Sequence, residues 1–491
     1  MPEKVKQYDL VVIGGGPAWV FGATAAAFFK KSVALIDSHH ELGGAGVNTG
    51  TAPSKTLRET ALALSGMRSR DLYGVDLSLR REATVADFLR HERTVKTGLN
   101  AVLARRLEVN QVDVYCGTGD FVDPQTVHVS YRCANPAGDG SCGSDEIMLR
   151  GERILIATGS SPVRPPIFPF GPGVYDSDTI LELDRLPKTM AVVGAGVIGS
   201  EYACTFAALG AEVHVIDGRK ELLPFLDGEI SRGLAADMER NGIIFHWGEM
   251  AESCTVEGSG SASRPGRVTL ELASGSQMKV DEVLIAAGRK SNTAKLNLLA
   301  AGVAVGDRGI IHVDEHFRTS VPHIYAAGDV IGFPALASTS MEQGRRAVQH
   351  ALDLPVMSEI PRLLPVGIYT IPEVGTIGET EETLKRQGTE YVVGRASYQD
   401  SARGRIIGDT TGFLKLLFRR GDMKLLGVHV IGQQAAEVVH VGLMAMLTGA
   451  TVEIFDEACF NEPTLDALYK FAALDAMLRR SNATSIGLPA I

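Results

Sequence analysis

One order of elements occurs twice in this chain: an apolar strand, a glycine turn, an Ala-rich helix and a second strand that ends in an acid. The first copy comprises Tyr8–Ile13, Gly14, Gly16 and Asp37. The second copy comprises Met190–Val193, Gly194, Gly196, Gly199 and Asp217. This is the dinucleotide-binding pattern, in which backbone N–H groups at a helix start approach a pyrophosphate and the acid accepts hydrogen bonds from a ribose. The repeat predicts an α/β fold with two Rossmann-like domains.

The first copy departs from this pattern at its third glycine position, which is Trp19. A small residue there normally lets the helix and the strand pack closely. Gly22 lies about one helical turn further on and does not substitute for it. Two interpretations stay open: the helix is displaced with Trp19 turned aside, or dinucleotide binding in the first copy is weakened.

Length and charge exclude several other classes of protein. At 491 residues the chain has room for about three domains. Its formal net charge of −10 argues against a broad nucleic-acid surface, although small phosphate pockets are compatible with it. No apolar run approaches the ~18 residues of a membrane span, and Asp9 interrupts the first apolar run, so we predict neither a membrane helix nor a signal peptide.

The six cysteines indicate neither a metal site nor a disulfide framework, because they form no CxxC pair or metal-spaced cluster. Cys133 and Cys142 flank a Gly/Asn/Pro loop, so they are either a pair or two unremarkable thiols. The sequence therefore predicts no metal and a cytoplasmic location.

The rest of the chain is organised as loops and a distinct C-terminal section. Segments 131–147 and 254–266 have the composition of exposed hairpin loops or inserts. From about Leu363 the pattern becomes α+β and carries no nucleotide motif, which is typical of a dimerisation module. Its predicted strands are 391–396, 413–418 and 424–430, followed by predicted helices at 433–449 and 464–480.

A series of motifs resembles the flavoprotein disulfide reductase family over essentially the full length. They include GGGP (14–17), LGGAGVNTGTAPSKTLRE (42–59), ILIATGSSP (154–162), VVGAGVIGSEYA (192–203), AAGRKSNT (286–293) and IYAAGDVIG (324–332). The resemblance implies an FAD domain at 1–160, an NAD(P) domain at 161–285, a return to the FAD domain at 286–360, and an α+β interface domain at 361–491 that forms a homodimer.

The chain departs from the family where disulfide chemistry is carried out. Gly46 and Thr51 stand at the positions of the two redox cysteines, so a flavin-to-dithiol relay cannot operate. Glu462 and Ala467 replace the family's C-terminal His and Glu acid/base pair. These changes exclude reduction of dihydrolipoamide, glutathione or mercuric ion. Glu462 is either a residual proton acceptor or a carboxylate near the start of the last helix, favoured by the helix dipole.

Within the family, VNTGTAPSKTLRE (47–59) and FNEPT (460–464) resemble the soluble pyridine nucleotide transhydrogenase branch. That resemblance implies hydride transfer between NAD(H) and NADP(H) through FAD in a ping-pong scheme. Two alternatives remain: an NAD(P)H diaphorase or oxidase, and a catalytically weak or flavin-free nucleotide-binding protein. Trp19 and Glu462 motivate the second of them.

The resemblance also implies the site residues. Lys55 is expected near flavin N5, paired with Glu201, which lines the nicotinamide pocket; both are candidate catalytic residues, and the alternative for Lys55 is a solvated lysine. The expected FAD-binding residues are Gly14, Gly16, Pro17, Asp37, Ser38, Gly43, Gly44, Gly50, Thr51, Lys55, Thr118, Gly119, Ala157, Thr158, Gly159, Arg289, Gly328, Asp329, Leu336, Ala337 and Ser338. The expected NAD(P)-binding residues are Gly194, Gly196, Ile198, Gly199, Glu201, Asp217, Arg219 and Gly288.

Four of these residues permit more than one role. Asp329 either accepts ribityl hydroxyls or caps the next helix, and Arg289 either closes the seam between the nucleotide domains or is an ordinary surface arginine. The loop after the second copy is mixed, because Asp217 suits a free 2′-OH while Arg219 and the adjacent lysine suit a 2′-phosphate. Such a loop would accept both coenzymes, unless its two cations are merely solvated.

Overall fold

The computed structural model describes residues 5–66, 84–132, 144–258, 267–355 and 363–481. The chain packs into two units. The first comprises Met1–Thr56, Leu89–Val163 and Gly288–Ile360, and the second comprises Leu57–Phe88, Arg164–Ala287 and Pro361–Ile491.

The strands are β1 Val5–Ile13, β2 Val33–Asp37, β3 Asp113–Asp123, β4 Thr126–Arg132, β5 Ser144–Ile156, β6 Ser160–Pro162, β7 Val174–Asp176, β8 Thr189–Val193, β9 Glu212–Asp217, β10 Ile243–Trp247, β11 Ala251–Glu257, β12 Arg267–Leu272, β13 Gln277–Val280, β14 Glu282–Ile285, β15 Arg289–Ser291, β16 Ile324–Ala326, β17 Val366–Ile368, β18 Glu373–Gly378, β19 Tyr391–Ser397, β20 Phe413–Arg419 and β21 Leu425–Gly432. The helices are α1 Pro17–Phe28, α2 Gly44–Asn48, α3 Thr51–Ser65, α4 Val85–Val109, α5 Val197–Ala208, α6 Gly228–Arg240, α7 Leu298–Ala301, α8 Ala337–Ala351, α9 Glu381–Gln387, α10 Ala402–Ile407, α11 Ala435–Leu447, α12 Glu453–Glu457 and α13 Leu468–Arg480.

A parallel sheet forms the centre of the first unit. Its strands lie in the order β3-β2-β1-β5-β16, and β4 pairs antiparallel with the far ends of β3 and β5. The central strands are apolar on both faces, as expected of a covered parallel sheet. Their carboxyl ends converge on one edge, which is where open α/β sheets bind ligands.

Helices α1 and α8 cross unusually closely on this unit. A Cβ atom added at Gly344 would lie only 1.8 Å from the Ala18 carbonyl oxygen, and one added at Gly22 would lie 2.9 Å from the Gly344 carbonyl oxygen. Glycine at both positions therefore lets the two backbones touch. This contact fixes α8 against the helix that follows the first glycine turn.

The second unit repeats the parallel arrangement and adds an antiparallel sheet. Strands β10-β9-β8-β14-β7 are all parallel, with the three-stranded antiparallel sheet β11-β12-β13 packed in the same core. The C-terminal residues form the antiparallel sheet β17-β18-β21-β20-β19, which packs with α11 and α13. The predicted fold class, two Rossmann-like sheets and an α+β section, is confirmed.

A buried ion cluster joins α6 to the C-terminal sheet within the second unit. The Lys415 ammonium lies 2.7 Å from Asp227 Oδ1, 3.0 Å from Glu229 Oε2 and 2.5 Å from Glu381 Oε1. Neither Lys415 nor Asp227 has an exposed side chain. Lys415 thus lies at the centre of a three-carboxylate group.

Several sequence predictions need correction. The predicted loops 131–147 and 254–266 are too long, because Tyr131, Ser144–Ile147 and Cys254–Glu257 belong to antiparallel strands. Cys133 and Cys142 lie outside the described residues.

The last helix starts at Leu468, so the exposed residue Glu462 does not lie in its first turn. The prediction that the helix dipole stabilises the Glu462 carboxylate is therefore wrong. No described helix combines the length and apolar character needed to cross a membrane.

Candidate nucleotide-binding sites

The first glycine turn connects β1 to α1. Gly14 has a φ of 110°, and a Cβ atom there would lie 2.4 Å from the Ala157 carbonyl oxygen, so only glycine fits. The Gly15 N–H donates to Asp37 Oδ2 (2.5 Å), while the His39 N–H donates to Asp37 Oδ1 (2.7 Å). The acid at the end of β2 is therefore held against the turn by its own carboxylate.

The segment Gly43–Asn48 packs on this turn. A Cβ atom at Gly44 would lie 2.8 Å from the Gly16 Cα atom, and one at Gly46 would lie 2.6 Å from Pro17 Cγ. As Pro17 is placed, Gly46 has no room for a side chain. Four predicted FAD-binding residues, Gly16, Pro17, Gly43 and Gly44, are thus brought together.

Trp19 is buried in the core of the first unit. Trp19 is 1 % exposed, and its indole Nε1–H donates to the Gly15 carbonyl oxygen. The interpretation that Trp19 is turned aside is therefore wrong. The helix is not displaced along the chain either, because α1 starts one residue after Gly16, just as α5 starts one residue after Gly196. The indole is accommodated inside the core while the turn keeps its usual backbone.

Ser160 links two predicted FAD-binding residues. Arg289 donates from Nε to Ser160 Oγ and from Nη2 to the Ser160 carbonyl oxygen, both at 2.7 Å. The Ser160 hydroxyl in turn donates to Asp329 Oδ2 at 2.8 Å. Arg289 is half-buried in this chain of bonds and is not an ordinary surface arginine.

Helix α8 begins at Ala337 beside the glycine that precedes Asp329. The Gly328 N–H donates to Gln343 Oε1 (2.9 Å), and a Cβ atom at Gly328 would lie 3.4 Å from Ala18 Cβ. No described side chain caps α8, which starts after Leu336, and its first turn carries no acid. Its start, including Ser338, is therefore available to negative charge.

The remaining predicted FAD-binding residues lie on several elements of the first unit. Ala157, Thr158 and Gly159 follow β5, and Thr118 and Gly119 lie in β3 just beyond Cys116, which pairs with Asp37. Ser38 is exposed beside Asp37, Gly50 donates its N–H to Ala45, and Thr51 is exposed at the start of α3. Lys55 donates to the Ser54 hydroxyl at 3.2 Å.

The second glycine turn repeats the first. Gly194 has a φ of 109°, and the Ala195 N–H donates to Asp217 Oδ2 at 2.7 Å. A Cβ atom at Gly199 would lie 1.9 Å from the Gly194 carbonyl oxygen, whereas one at Gly196 meets no atom within 4 Å. The turn is tightly packed behind and open in front, and half-buried Ile198 follows it on α5.

Asp217 also binds the residue two positions further on. Arg219 donates from Nε to Asp217 Oδ1 (2.9 Å) and from Nη2 to Oδ2 (2.7 Å), and its backbone N–H donates to Oδ1. Burial raises the pKa of this carboxyl, but the hydrogen bonds from Arg219 and Ala195 outweigh it and lower the pKa below its ordinary value. The acid is therefore ionised at neutral pH.

Glu201 is buried on α5, and its carboxylate is held by the backbone of a later segment. Its Oε1 accepts the Tyr369 N–H at 3.0 Å, and the residue is 6 % exposed. Lys55 belongs to the first unit and Glu201 to the second, so their pairing stays a prediction. The same holds for Gly288, which lies in the first unit, apart from the other predicted NAD(P)-binding residues.

Both glycine turns fit a dinucleotide. No described side chain caps α1 or α5, and neither helix carries an acid in its first turn, so the leading N–H groups can receive a pyrophosphate. The open face of Gly196 and the acids at the ends of β2 and β9 complete the arrangement. The residues present therefore fit FAD at the first turn and NAD(P) at the second.

Sequence reasoning missed four residues that act by contact. These are His39, Ser160, Gln343 and Tyr369. His39 had a local signal, because it occupies the position in the first copy that Arg219 occupies in the second. The other three bridge distant parts of the chain; Ser160 lies in the motif ILIATGSSP (154–162), but the motif does not show which groups it joins.

Two family profiles match this chain. "Pyridine nucleotide-disulphide oxidoreductase" matches residues 8–344, and "Pyridine nucleotide-disulphide oxidoreductase, dimerisation domain" matches residues 364–472. Together they span both glycine turns and the C-terminal sheet.

Similar proteins share nearly the whole length. The chain is 46% identical over 474 residues to a "Soluble pyridine nucleotide transhydrogenase" of Mycobacterium bovis, covering 96% of this chain and 98% of that protein. It is 40% identical over 479 residues to the protein of that name from Pseudomonas fluorescens, covering 97% and 99%. Among solved structures, the Cu(II) complex of the HOCl-induced flavoprotein disulfide reductase RclA from Escherichia coli is similar, with a TM-score of 0.83, 26% identity and coverage of 96% and 99%.

Proposed function

The chain belongs to the pyridine nucleotide-disulphide oxidoreductase family, and from that premise we propose that it transfers hydride between NAD(H) and NADP(H) through bound FAD. The observation that carries the proposal is the pair of acid-ended glycine turns in a chain that lacks redox cysteines. Gly46 and Thr51 leave no dithiol at the family's redox positions. Full-length relatives named soluble pyridine nucleotide transhydrogenase support the same activity.

FAD, when bound, supplies a two-electron carrier that can accept hydride from one nicotinamide coenzyme and pass it to another. The protein's own residues bind and orient FAD and the nicotinamide coenzymes. The first turn and Asp37 hold the adenosine diphosphate part, and the start of α8 offers its positive end to charge on the ring system. Asp329, held by Ser160, accepts ribityl hydroxyls.

The second turn selects and positions the nicotinamide coenzymes. Asp217 accepts hydrogen bonds from a free ribose 2′-OH, and Arg219 donates to a 2′-phosphate when it releases Asp217. One loop thus serves both coenzymes with two different side chains. The family resemblance implies that Lys55 pairs with Glu201, and this pairing is part of the proposal.

We also propose a homodimer formed by the C-terminal domain, supported by the matching dimerisation-domain profile over residues 364–472. The domain limits 1–160, 161–285, 286–360 and 361–491 belong to the proposal as well. A cytoplasmic location is supported by the four described cysteines, Cys116, Cys204, Cys254 and Cys459, all of which are free thiols. Sedimentation of the purified protein at several concentrations tests the dimer.

The experiment that tests the activity is anaerobic hydride exchange from NADH to thio-NADP⁺. Accumulation of thio-NADPH at a rate proportional to the flavin-containing protein supports the proposal. If the protein oxidises NADH only when a quinone, a dye or oxygen is added, the diaphorase or oxidase alternative is correct. A colourless protein that binds both coenzymes without exchange overturns the flavoenzyme assignment altogether.

A further inference from the structure

The segment Tyr369–Glu373, which leads from β17 into β18, determines the position of the Glu201 carboxylate. The Tyr369 N–H donates to Glu201 Oε1 at 3.0 Å. A backbone donor cannot rotate away as a side chain can, so the position of Oε1 depends on where this segment lies. Whatever holds the segment therefore also orients the acid.

Arg58 holds the segment at two points. Its Nε donates to the Thr370 carbonyl oxygen (3.0 Å), next to Tyr369, and its Nη2 lies 3.0 Å from Glu373 Oε1. The side chains of Arg58 and Glu373 are 5% and 9% exposed. A planar guanidinium can make both contacts at once, whereas a lysine ammonium is a single point charge.

Other described contacts also hold the segment: Glu373 belongs to β18, which pairs with β21, and two uncharged side chains reach the Ile371 carbonyl oxygen. Asn241 Nδ2 donates to the Ile371 carbonyl oxygen at 3.3 Å, and the Cys204 thiol lies 3.9 Å from the same oxygen. The Asn241 amide carries no charge. Burial raises the pKa of the Cys204 thiol to about 12, so this group is also uncharged at neutral pH. Among the side chains named here, Arg58 supplies the charged contact and reaches two residues of the segment, Thr370 and Glu373.

We propose that Arg58 is a positioning residue for hydride transfer: it fixes Tyr369–Glu373, and through the Tyr369 N–H it keeps the Glu201 carboxylate in one orientation. Arg58 itself need not touch either coenzyme. This inference rests on the proposed role of Glu201 and adds to it a role for Arg58, which lies in the motif at 42–59 but has no function assigned to it above.

A cavity beside the guanidinium makes the proposal testable by chemical rescue. It has a volume of about 300 Å³, and its lining includes Arg58, Ile371, Pro372, Glu373 and Arg240. A small cation that enters from this cavity can reach the place vacated by a truncated Arg58. Arg240 offers a matched control, because it lines the same cavity but pairs with Asp237 and has no described contact to the segment.

The variants are Arg58→Ala, Arg58→Lys and Arg240→Ala, each prepared as the full chain with FAD. Hydrogen exchange measured by mass spectrometry should be faster in the peptide that contains Tyr369–Glu373 for Arg58→Ala and unchanged for Arg240→Ala. The rate of flavin bleaching at saturating NADH should fall about 10- to 100-fold for Arg58→Ala, with little change in the NADH dissociation constant. Millimolar guanidinium should restore part of that rate in Arg58→Ala only.

Other outcomes overturn the inference. Unchanged exchange in Arg58→Ala shows that the arginine does not hold the segment, and faster exchange with an unchanged rate shows that the segment does not position the acid. Equal effects in Arg240→Ala mean a general loss of structure. If Arg58→Ala does not fold, Arg58→Lys is expected to show the same local pattern more weakly, and wild-type behaviour of Arg58→Lys refutes the two-point contact.

Failure of the proposed function gives a different result. If the wild type does not reduce thio-NADP⁺, hydride exchange between coenzymes is wrong, but amide exchange and flavin bleaching by NADH still report on Arg58. If the wild type exchanges hydride and the Arg58 variants match it in both measurements, only the positioning role is wrong.

Discussion

The guanidinium of Arg219 binds the carboxylate of Asp217 through two nitrogen atoms, Nε to Oδ1 at 2.9 Å and Nη2 to Oδ2 at 2.7 Å. The acid that suits a free ribose 2′-OH is thus occupied by the cation that suits a 2′-phosphate. The Arg219 side chain is 47% exposed, so it can leave the pair without disturbing a core. Under the proposed function, choice between the coenzymes is a competition for Asp217 and Arg219.

Asp217→Ala should weaken NADH binding roughly 10- to 150-fold, because a hydrogen bond to a charged acceptor contributes about 1.5–3 kcal/mol. NADPH binding should be unchanged or tighter, since the freed Arg219 no longer has a competing partner. Equilibrium titration of each coenzyme measures both effects. Asp217→Asn is the control, because it keeps an acceptor for the Ala195 N–H and removes only the charge.

Arg219→Ala should weaken NADPH binding and leave NADH binding equal or slightly tighter. The physical reason is that the variant loses the donor to the phosphate and frees the Asp217 carboxylate. The same titrations with Lys220→Ala show which of the two adjacent cations reads the phosphate. Equal losses for both coenzymes in Arg219→Ala would contradict a role in discrimination.

Reduction should store about two electrons per FAD and none in sulfur. The redox positions are Gly46 and Thr51, and burial raises the pKa of the Cys204 thiol to about 12 and that of Cys254 to about 11, so neither is a thiolate at neutral pH. Anaerobic dithionite titration measures the electron count. A reproducible demand for about four electrons, or thiols that appear on reduction, would show a disulfide that takes part.

Trp19→Gly should lower both the melting temperature and the flavin-to-protein ratio. Removal of a fully buried indole leaves a cavity, which costs about 3–5 kcal/mol for a large aromatic side chain. Trp19→Phe is the matched control, because it keeps most of the volume and loses only the hydrogen bond to the Gly15 carbonyl. If Trp19→Gly instead binds FAD more tightly, the indole of the wild type weakens binding of the cofactor.

Lys415→Met should destabilise the protein by about 3–5 kcal/mol, because it leaves buried carboxylates without their cation. Lys385→Met is the control: Lys385 pairs with Glu381 from the surface, where an ion pair contributes at most about 1 kcal/mol. Urea denaturation of the two variants at neutral pH gives the comparison. Equal losses of unfolding free energy in the two variants would show that burial of the cluster does not strengthen its contribution to stability.

The same cluster predicts how stability depends on pH. Burial opposes ionisation of Asp227, Glu229 and Glu381, but hydrogen bonds lower the pKa of all three. These bonds come chiefly from Lys415 for Asp227 and Glu381, and from Arg395 and then Lys415 for Glu229. Their contribution is present above the unfolded values, about 4, and is lost as pH falls through the folded values. The pKa of Lys415 is raised despite its burial, so its contribution is present below about 10.4 and is lost as pH rises through its folded value. The difference in stability between wild type and Lys415→Met should shrink at both ends of the pH range.

Local requirements explain what the sequence by itself determined. A turn with a positive φ that touches the next strand accepts only glycine, and an acid two dozen residues later closes it, so Gly14, Asp37, Gly194 and Asp217 could be identified without a structure. The absence of cysteine from the redox segment is likewise a property of sequence alone. The two Rossmann-like sheets and the lack of disulfide chemistry followed from these residues.

Only the tertiary structure decided the fate of Trp19 and Glu462, because packing and helix limits determine whether a side chain is buried or lies beside a dipole. The contacts of Arg58 with Thr370, and of Lys415 with Asp227, join residues more than 180 positions apart. Such pairs have no spacing rule, since the path of the whole intervening chain decides whether they meet. Sequence therefore predicts the groups that are proposed to contact the coenzymes, while the residues that hold those groups in place appear only once the chain is folded.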